Sequence, residues 1–378
     1  VQEDVADHMV KMIKGAMDEL VVGNPIALDT DIGPVIDTEA QQNLLAHINR
    51  MKGIAKSYHK IRPSENVNPD NATFVAPIMF ELNGLGELQR EVFGPVLHVV
   101  RYPADGLDKL IDQINGKGYA LTHGVHSRID GTVEHIRSRI ESGNVYVNRN
   151  IVGAVVGVQP FGGHGLSGTG PKAGGSFYLQ RLSRLKEWTA PTLSKIGQVD
   201  EAALKRLETL LHGLLLPQSE KMAAAASLGQ SRVRTLRKAE SVLAGPTGER
   251  NVLSWHAPAR VWLYGGSLAA SFTALVSLAS AGVQAVVLPD HPLAAYADRL
   301  DGLLAVTDKP EAAGISHVAA LETLPSERKQ VLANRDGALV RILPSENGLD
   351  ILQVFEEISC SINTTAAGGN ASLMAMAD

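Results

Sequence analysis

Cysteine occurs once in the 378 residues, at Cys360. An internal disulfide framework is therefore excluded, and so sparse a thiol content fits a reducing, cytoplasmic setting. Excess positive charge is also missing: the net charge is −5 and the pI about 6.2, whereas a nucleic-acid partner calls for a basic domain or stripe. The single basic cluster, at residues 232–238, alternates with Val233, Thr235 and Leu236 and reads as the solvated face of a helix. No apolar run reaches the roughly 18 residues needed to span a bilayer, and no signal-peptide pattern opens the sequence, so no membrane segment is expected. The 12 histidines are scattered without paired spacing, so no metal site is expected. What remains is ordinary for a water-soluble globular chain: 44% hydrophobic and 20% charged residues, with length enough for two or three domains.

The most unusual stretch is NVYVNRNIVGAVVGVQPFGGHGLSGTGPKAGG, residues 144–175. Its opening Val/Tyr/Val content predicts a short strand over 144–148. Nine glycines follow between Ile151 and Gly175, too many for a helix or a regular sheet. A flexible linker would be polar. Here Val152, Val155, Val156, Val158, Phe161 and Leu166 interrupt the glycines, which predicts an ordered loop where backbone comes close to a ligand, a strand or a neighbouring subunit.

Upstream, Val5, Met9, Ile13, Met17 and Leu20 mark one helical face closed by Gly23. Thr38 and Gln41 suggest a capping box for a helix through Leu44, Leu45, Ile48 and Met51. Residues 60–72 read as a surface loop, 73–82 as a strand with Pro77 at an edge or bulge, and 97–102 as a buried strand. A helix over 107–114, a strand near 120–126 and a helix through Val133, Ile136 and Ile140 lead back to the glycine segment. Downstream, residues 201–243 carry Ala and Leu at helical spacing, and Gly245-Pro246-Thr247-Gly248 breaks the pattern. Residues 261–264, an apolar helix over 267–281 and residues 285–288 form a βαβ pattern, with further short strands at 303–306, 315–319 and 338–342. The alternation implies an α/β fold with a largely parallel sheet and a second Rossmann-like α/β domain. In that second domain the turn YGGSLAAS lacks a spaced G-x-G-x-x-G, and Leu288-Pro289-Asp290 is a poor substitute for the acid that should close the next strand.

The segment QPFGGHGLSGTGPKAGG, together with EVFGPV at residues 91–96, resembles the aldehyde dehydrogenase superfamily, in which both motifs occur in this order. The wording GAVVGVQPFGG…GTGPKAGG, with Lys172 where generic members usually carry an acid, resembles its Δ1-pyrroline-5-carboxylate (glutamate semialdehyde) dehydrogenase branch, as found in bifunctional proline-utilisation enzymes. The C-terminal SINTTAAGGNASLMA resembles the tail of those enzymes. The likeness is strong over 1–185 and 346–378 and weak between. It implies four parts: a portion of an aldehyde dehydrogenase catalytic domain at 1–185, a helical connector at 186–245, a non-catalytic Rossmann-like domain at 246–345, and a tail at 346–378.

The resemblance also implies roles. Glu91 would accept hydrogen bonds from the nicotinamide-ribose hydroxyls of NAD, and Phe93 would pack near the nicotinamide; a surface carboxylate and a core aromatic are the plainer alternatives. Gly153 and Ala154 would bind the α-carboxylate of glutamate semialdehyde through bare backbone N–H groups, with Phe161 along the aliphatic chain; a simple turn is the alternative. With no lysine or arginine in residues 151–161, the loop is expected to offer only backbone donors. FAD belongs to the proline dehydrogenase half of such enzymes, which is absent here. His164 reads as an exposed loop histidine. Cys360 reads as structural, its pKa raised by neighbouring Glu356 and Glu357, so no catalytic residue is assigned.

In that family the nucleophile and the general base precede EVFGPV, and the chain opens at Val1 on the edge of an amphipathic helix. The expectation is therefore a piece of an NAD-dependent glutamate semialdehyde dehydrogenase of proline catabolism, inactive alone, partnered by the rest of its parent chain and forming a homo-oligomer. The alternative is a non-catalytic module that covers an active site and holds subunits together.

Overall fold

The computed structural model describes residues 1–62, 72–183, 188–231 and 235–365. Packing divides the chain into two compact units, Val1–Lys117 and Gly118–Asp378. Most of the expected 60–72 loop, the first half of the 232–238 cluster and the end of the tail lie outside the described residues.

In the first unit, helix α1 (Glu3–Asp18) begins with Glu3 and Asp4, which complement its N-terminal dipole. Its buried stripe runs through Ala6, Val10, Ile13 and Met17. Val5, expected on that face, is 52% exposed. The stripe keeps i, i+4, i+7 spacing but is shifted by one residue at its start, where the fully buried residue is Ala6. Helix α2 (Thr38–Lys52) is capped one residue earlier than expected: the Asp37 carboxylate accepts the Ala40 N–H at 2.8 Å. Aspartate makes that bond and also places negative charge at the helix start. Gln41 does not close a capping box; its amide donates to the Phe74 carbonyl at 3.1 Å.

Strands β1 (Ser57–Lys60), β2 (Ile78–Leu82) and β3 (Val96–Val100) form one sheet, β1 antiparallel and β3 parallel to β2. Every residue of β2 is buried. Pro77 lies just before it rather than within it, since a proline cannot donate to a central ladder. The expected buried strand at 97–102 is β3, an outer strand in which Val99 is buried and Leu97 is exposed. Helix α3 (Leu107–Asn115) completes the unit. Inside it, His47 of α2 and His98 of β3 meet Nε2 to Nε2 at 2.9 Å, and His98 stacks near Phe80.

The second unit holds two five-stranded sheets. Strands β4 (Tyr119–Ala120) and β5 (Thr122–Val125), helix α4 (Asp130–Arg139), β6 (Asn144–Val147) and β7 (His164–Gly165) come first. After them come α5 (Tyr178–Leu182), α6 (Glu201–Gly213), α7 (Gln218–Ser231), β8 (Glu240–Leu243) and β9 (Glu249–His256). A βαβ run then follows: β10 (Arg260–Tyr264), α8 (Leu268–Ser280), β11 (Gln284–Val287), β12 (Leu304–Val306), β13 (His317–Ala320), α9 (Ser326–Asn334) and β14 (Arg341–Pro344). The last strand is β15 (Glu356–Asn363).

The βαβ run makes an all-parallel sheet in the order β12-β11-β10-β13-β14, a doubly wound plan with its first strand central. Helix α8 packs against it, apolar nearly all round and capped by Ser267, whose hydroxyl accepts the Ala270 N–H at 3.3 Å. The other sheet runs β5-β6-β15-β9-β8. In it β15 lies parallel to β6 and antiparallel to β9. This sheet takes strands from either side of residues 185, 245 and 345.

Three local expectations are corrected. Residues 240–243, read as helical, form β8, and residues 235–238 are not helical. Leu236 is buried rather than solvated. Residues 249–256 and 356–363, for which no strand is predicted from the sequence, form the antiparallel partners β9 and β15. No helix among the described residues is long and apolar enough to cross a membrane.

The histidine pair of the first unit makes a testable acid limb. Burial, then the charges of His47 and Arg50, push the His98 pKa down from 6.5 to about 4. The unfolded chain therefore binds a proton that the folded chain rejects, so stability falls as pH drops from 6.5 towards 4. His98→Gln is expected to flatten this loss. Denaturant midpoints across that window check it, and parallel curves for the two proteins would dismiss the pair as the cause.

Candidate functional site

The loop between β6 and β7 begins with Asn148, which takes a positive φ of 54°. Its side chain holds the turn by accepting the Ser127 N–H at 3.0 Å and donating to the Ser127 carbonyl at 2.9 Å. Beyond it, the Val152 N–H goes to Asn150 Oδ1 at 3.3 Å and the Val155 N–H to Gln159 Oε1 at 3.3 Å. Among the described residues, the N–H groups of Gly153 and Ala154 have no hydrogen-bond partner.

Gly153, Ala154 and Phe161 line one cavity of about 600 Å³, together with Ala173, Leu243 and Ala244. A side chain added at Gly153 would meet no atom within 4 Å. Phe161 and Ala173 bridge through paired backbone bonds of 3.0 and 2.9 Å, which set the aromatic ring at one wall. The cavity thus combines an apolar lining with bare amides, a pattern suited to a short aliphatic ligand ending in an anion.

Behind the loop lie buried polar groups. Lys172 is 2% exposed. Its ammonium Nζ donates to Asn144 Oδ1 at 2.9 Å and to the Gly162 carbonyl at 2.5 Å, and its backbone N–H donates to Glu357 Oε2 at 3.0 Å. Burial pulls its pKa down from 10.5 to about 7, opposed by the Glu357 charge. Burial also raises the Glu357 pKa, against hydrogen bonds from the Lys172, Ser176 and Phe177 backbone and the Lys172 charge. Gln159, 6% exposed, is the residue that the sequence reading missed. It is a side-chain donor inside a loop read as having none. Its flanking apolar residues were the only signal, since a lone amide in such a run must find buried partners.

Two other residues differ from expectation. His164 is not an exposed loop residue: it sits in β7 with Nδ1 at 3.1 Å from Glu356 Oε2. Burial, then Lys172 and His256, lowers its pKa to about 3. Cys360 lies in the middle of β15 and is 2% exposed. Its pKa is raised to about 11, but by burial first, with Glu134 and Glu240 adding and Arg137 and Arg250 opposing, rather than by Glu356 and Glu357.

Glu91 and Phe93 belong to the first unit, on the segment between β2 and β3. Both are exposed, Phe93 by 80%. Among the described residues Glu91 has no hydrogen-bond or ion-pair partner. A free carboxylate beside an unburied aromatic ring suits a ribose and a flat heterocycle. The Rossmann-like sheet of the second unit is less suited. At its first turn Gly265 and Gly266 take positive φ, and the Gly266 N–H donates to Glu322 Oε1 at 3.0 Å. A carboxylate of the chain itself thus occupies the place where a dinucleotide phosphate would lie. Among the described residues no group of three or more possible ligands could hold a metal ion.

Residues 1–188 match the profile described as the aldehyde dehydrogenase family. The whole chain is similar to the bifunctional protein PutA of Escherichia coli (strain K12), at 41% identity over 99% of this chain and 30% of that protein. It is similarly matched by the bifunctional protein PutA of Rhizobium meliloti, at 39% identity over 100% of this chain and 31% of that protein. The chain thus spans about 30% of the length of these relatives. The 1-pyrroline-5-carboxylate dehydrogenase of Geobacillus sp. (strain WCH70) is 34% identical over 47% of this chain and 34% of its own length. In fold, the chain is similar to the structure of Proline Utilization A (PutA) from Corynebacterium freiburgense. The TM-score is 0.67 at 21% identity, over 94% of this chain and 34% of that one.

Lys172 offers a test of the buried cluster. Its folded pKa is near 7 and its unfolded value 10.5, so between those values the unfolded chain holds a proton that the folded chain has lost. Stability therefore rises with pH through that window. Lys172→Met is expected to lose this rise while keeping the other titrations. Unfolding free energies measured across the window give the answer, and equal slopes would mean that Lys172 stays charged.

Proposed function

Because residues 1–188 belong to the aldehyde dehydrogenase family, we propose that the chain is the substrate-anchoring part of an NAD-dependent L-glutamate γ-semialdehyde (1-pyrroline-5-carboxylate) dehydrogenase of proline catabolism. The observation that carries this reading is the pair of unpartnered N–H groups, at Gly153 and Ala154, lining an apolar cavity. The α-carboxylate of the substrate accepts from both, and Phe161 lies along its methylene chain. Such amides need no cation, and they cost nothing to reorganise when they are held in place beforehand.

Members of the family use NAD or NADP, and NAD fits the residues here. Bound there, NAD would supply the hydride acceptor for oxidation of the aldehyde. Glu91 holds the nicotinamide-ribose hydroxyls, a task for an unpaired carboxylate, and Phe93 covers the nicotinamide. The nucleophile comes from chain outside these 378 residues, since Cys360 is buried and its thiol is held protonated. The work is cytoplasmic, in a homo-oligomer joined to the rest of the parent chain.

A second reading is favoured by one feature, the sheet that β8, β9 and β15 share with β5 and β6. Residues beyond 185 then act mainly in assembly and in covering the site.

Two substitutions in the parent enzyme test the first reading. Glu91→Ala is expected to weaken NAD use by about 1.5–3 kcal/mol, the worth of a hydrogen bond to a charged group. An unchanged KM for NAD would remove Glu91 from the site. Gly153→Val adds a side chain where there is open space, so the fold should tolerate it and the effect should arise in the cavity. The KM for glutamate semialdehyde should rise while propionaldehyde, which has no carboxylate, is left nearly untouched. Equal losses on both aldehydes would leave the loop a purely structural part.

A further inference from the structure

We infer that Gln159 is the positioning residue of the carboxylate-binding loop, and that through it strands β9 and β15 decide which loop amides are left free. This rests on the reading of Gly153 and Ala154 given above.

Within residues 151–161 Gln159 is the one side chain with a hydrogen-bonding head; the others are apolar residues, glycine and proline. Such a loop has little means of fixing its own peptide planes. Gln159 does so from two sides. Its backbone N–H donates to the Val155 carbonyl at 3.1 Å, and its side-chain Oε1 accepts the Val155 N–H at 3.3 Å. The amide nitrogen Nε2 faces the other way, its two hydrogens shared among Glu249 Oε1 at 2.5 Å, Asn251 Oδ1 at 2.9 Å and Ser361 Oγ at 3.1 Å.

The surrounding groups fix that orientation. Glu249 can only accept, and its second oxygen is taken by Arg149 Nη1 at 2.6 Å. Asn251 donates its own amide to Glu249 Oε1 at 3.0 Å, which leaves its oxygen to accept. A flipped Gln159 would set its carbonyl oxygen against the Glu249 carboxylate and its NH2 against the Val155 N–H. Neither is tolerable in a buried site.

A peptide unit is planar, so holding the Val155 N–H commits the whole Ala154–Val155 plane. The Val155 amide is thereby withdrawn from ligand binding, as the Val152 amide is by Asn150. The two amides between them are left free. The donor pair is thus defined by what lies on either side of it. Gln159 touches no reacting atom; it acts through Val155.

The test uses the parent enzyme. Gln159→Met keeps the volume and removes both kinds of bond. It is expected to raise the KM for glutamate semialdehyde about tenfold, with kcat and the propionaldehyde KM changed by less than about twofold, as for the loss of one or two hydrogen bonds that hold the loop. Gln159→Glu sets two carboxylates against each other and should do at least as much harm. The double variant Gln159→Glu, Glu249→Gln exchanges donor and acceptor at constant charge, and should bring the KM back to within about threefold of the parent value. Hydrogen exchange at the Val155 amide gives a reading independent of substrate, and Gln159→Met should remove its protection.

A KM and a Val155 exchange rate unmoved by Gln159→Met overturn the inference, as does a Gln159→Glu defect that Glu249→Gln fails to repair. If Gly153→Val discriminates between the two aldehydes while Gln159→Met does not, the bracing role alone falls. If Gly153→Val treats both aldehydes alike, carboxylate anchoring falls and takes the bracing role with it.

Discussion

Buried polar groups that must find partners hold the glycine-rich segment in place. A run so poor in side chains gains little from packing, and its backbone would otherwise explore many conformations. Gln159 and Lys172 supply the missing order from beneath. Each spends its hydrogen bonds on strands or carbonyls at the base of the loop. The cost of leaving such groups unmet in the interior is what makes the arrangement specific. Glu357 shows the limit of that rule: its Oε2 is met by the Lys172 N–H, but among the described residues its Oε1 has no partner. A carboxylate so placed favours its neutral form, in keeping with the raised pKa.

Much of the second unit was legible because its strands announce themselves. The β10–α8–β11 run combines continuous apolar residues with glycines at both turns, and two readings of that pattern do not compete. The glycine loop was legible for the same reason, since no regular element could absorb its composition. The strands β9 and β15 were not. In β15 the consecutive residues from Glu357 to Ser361 are buried on both faces, although the sequence EEISCSIN offers serines and two glutamates instead of an apolar run. Only a partner on each side makes such a strand possible, and those partners lie far away in sequence. The helix caps and faces of the first unit were misread by one residue, because Asp37 and Ala6 win on local chemistry that a search for large hydrophobes ignores.

The candidate site was legible in composition but not in its support. Bare amides are suggested by Gly153-Ala154 and the lack of cations nearby. That Leu243 and Ala244, at the end of a strand read as helix, contribute to the same cavity could not be seen without the fold. The same holds for Glu322, which fills the turn of the Rossmann-like sheet from more than fifty residues downstream. In both cases the deciding neighbour is remote in sequence.

That remoteness has a kinetic meaning. Ser359 pairs with Asn144 and Ile362 with Val147, so the sheet under the loop closes only when strands more than two hundred residues apart meet. Contacts of such long range are paid for in chain entropy before they return any stability, and they form late. During synthesis β6 would wait, with one edge open, until β15 has left the ribosome. The glycine-rich loop above this sheet is therefore among the last parts to become ordered, although it is encoded in the first half.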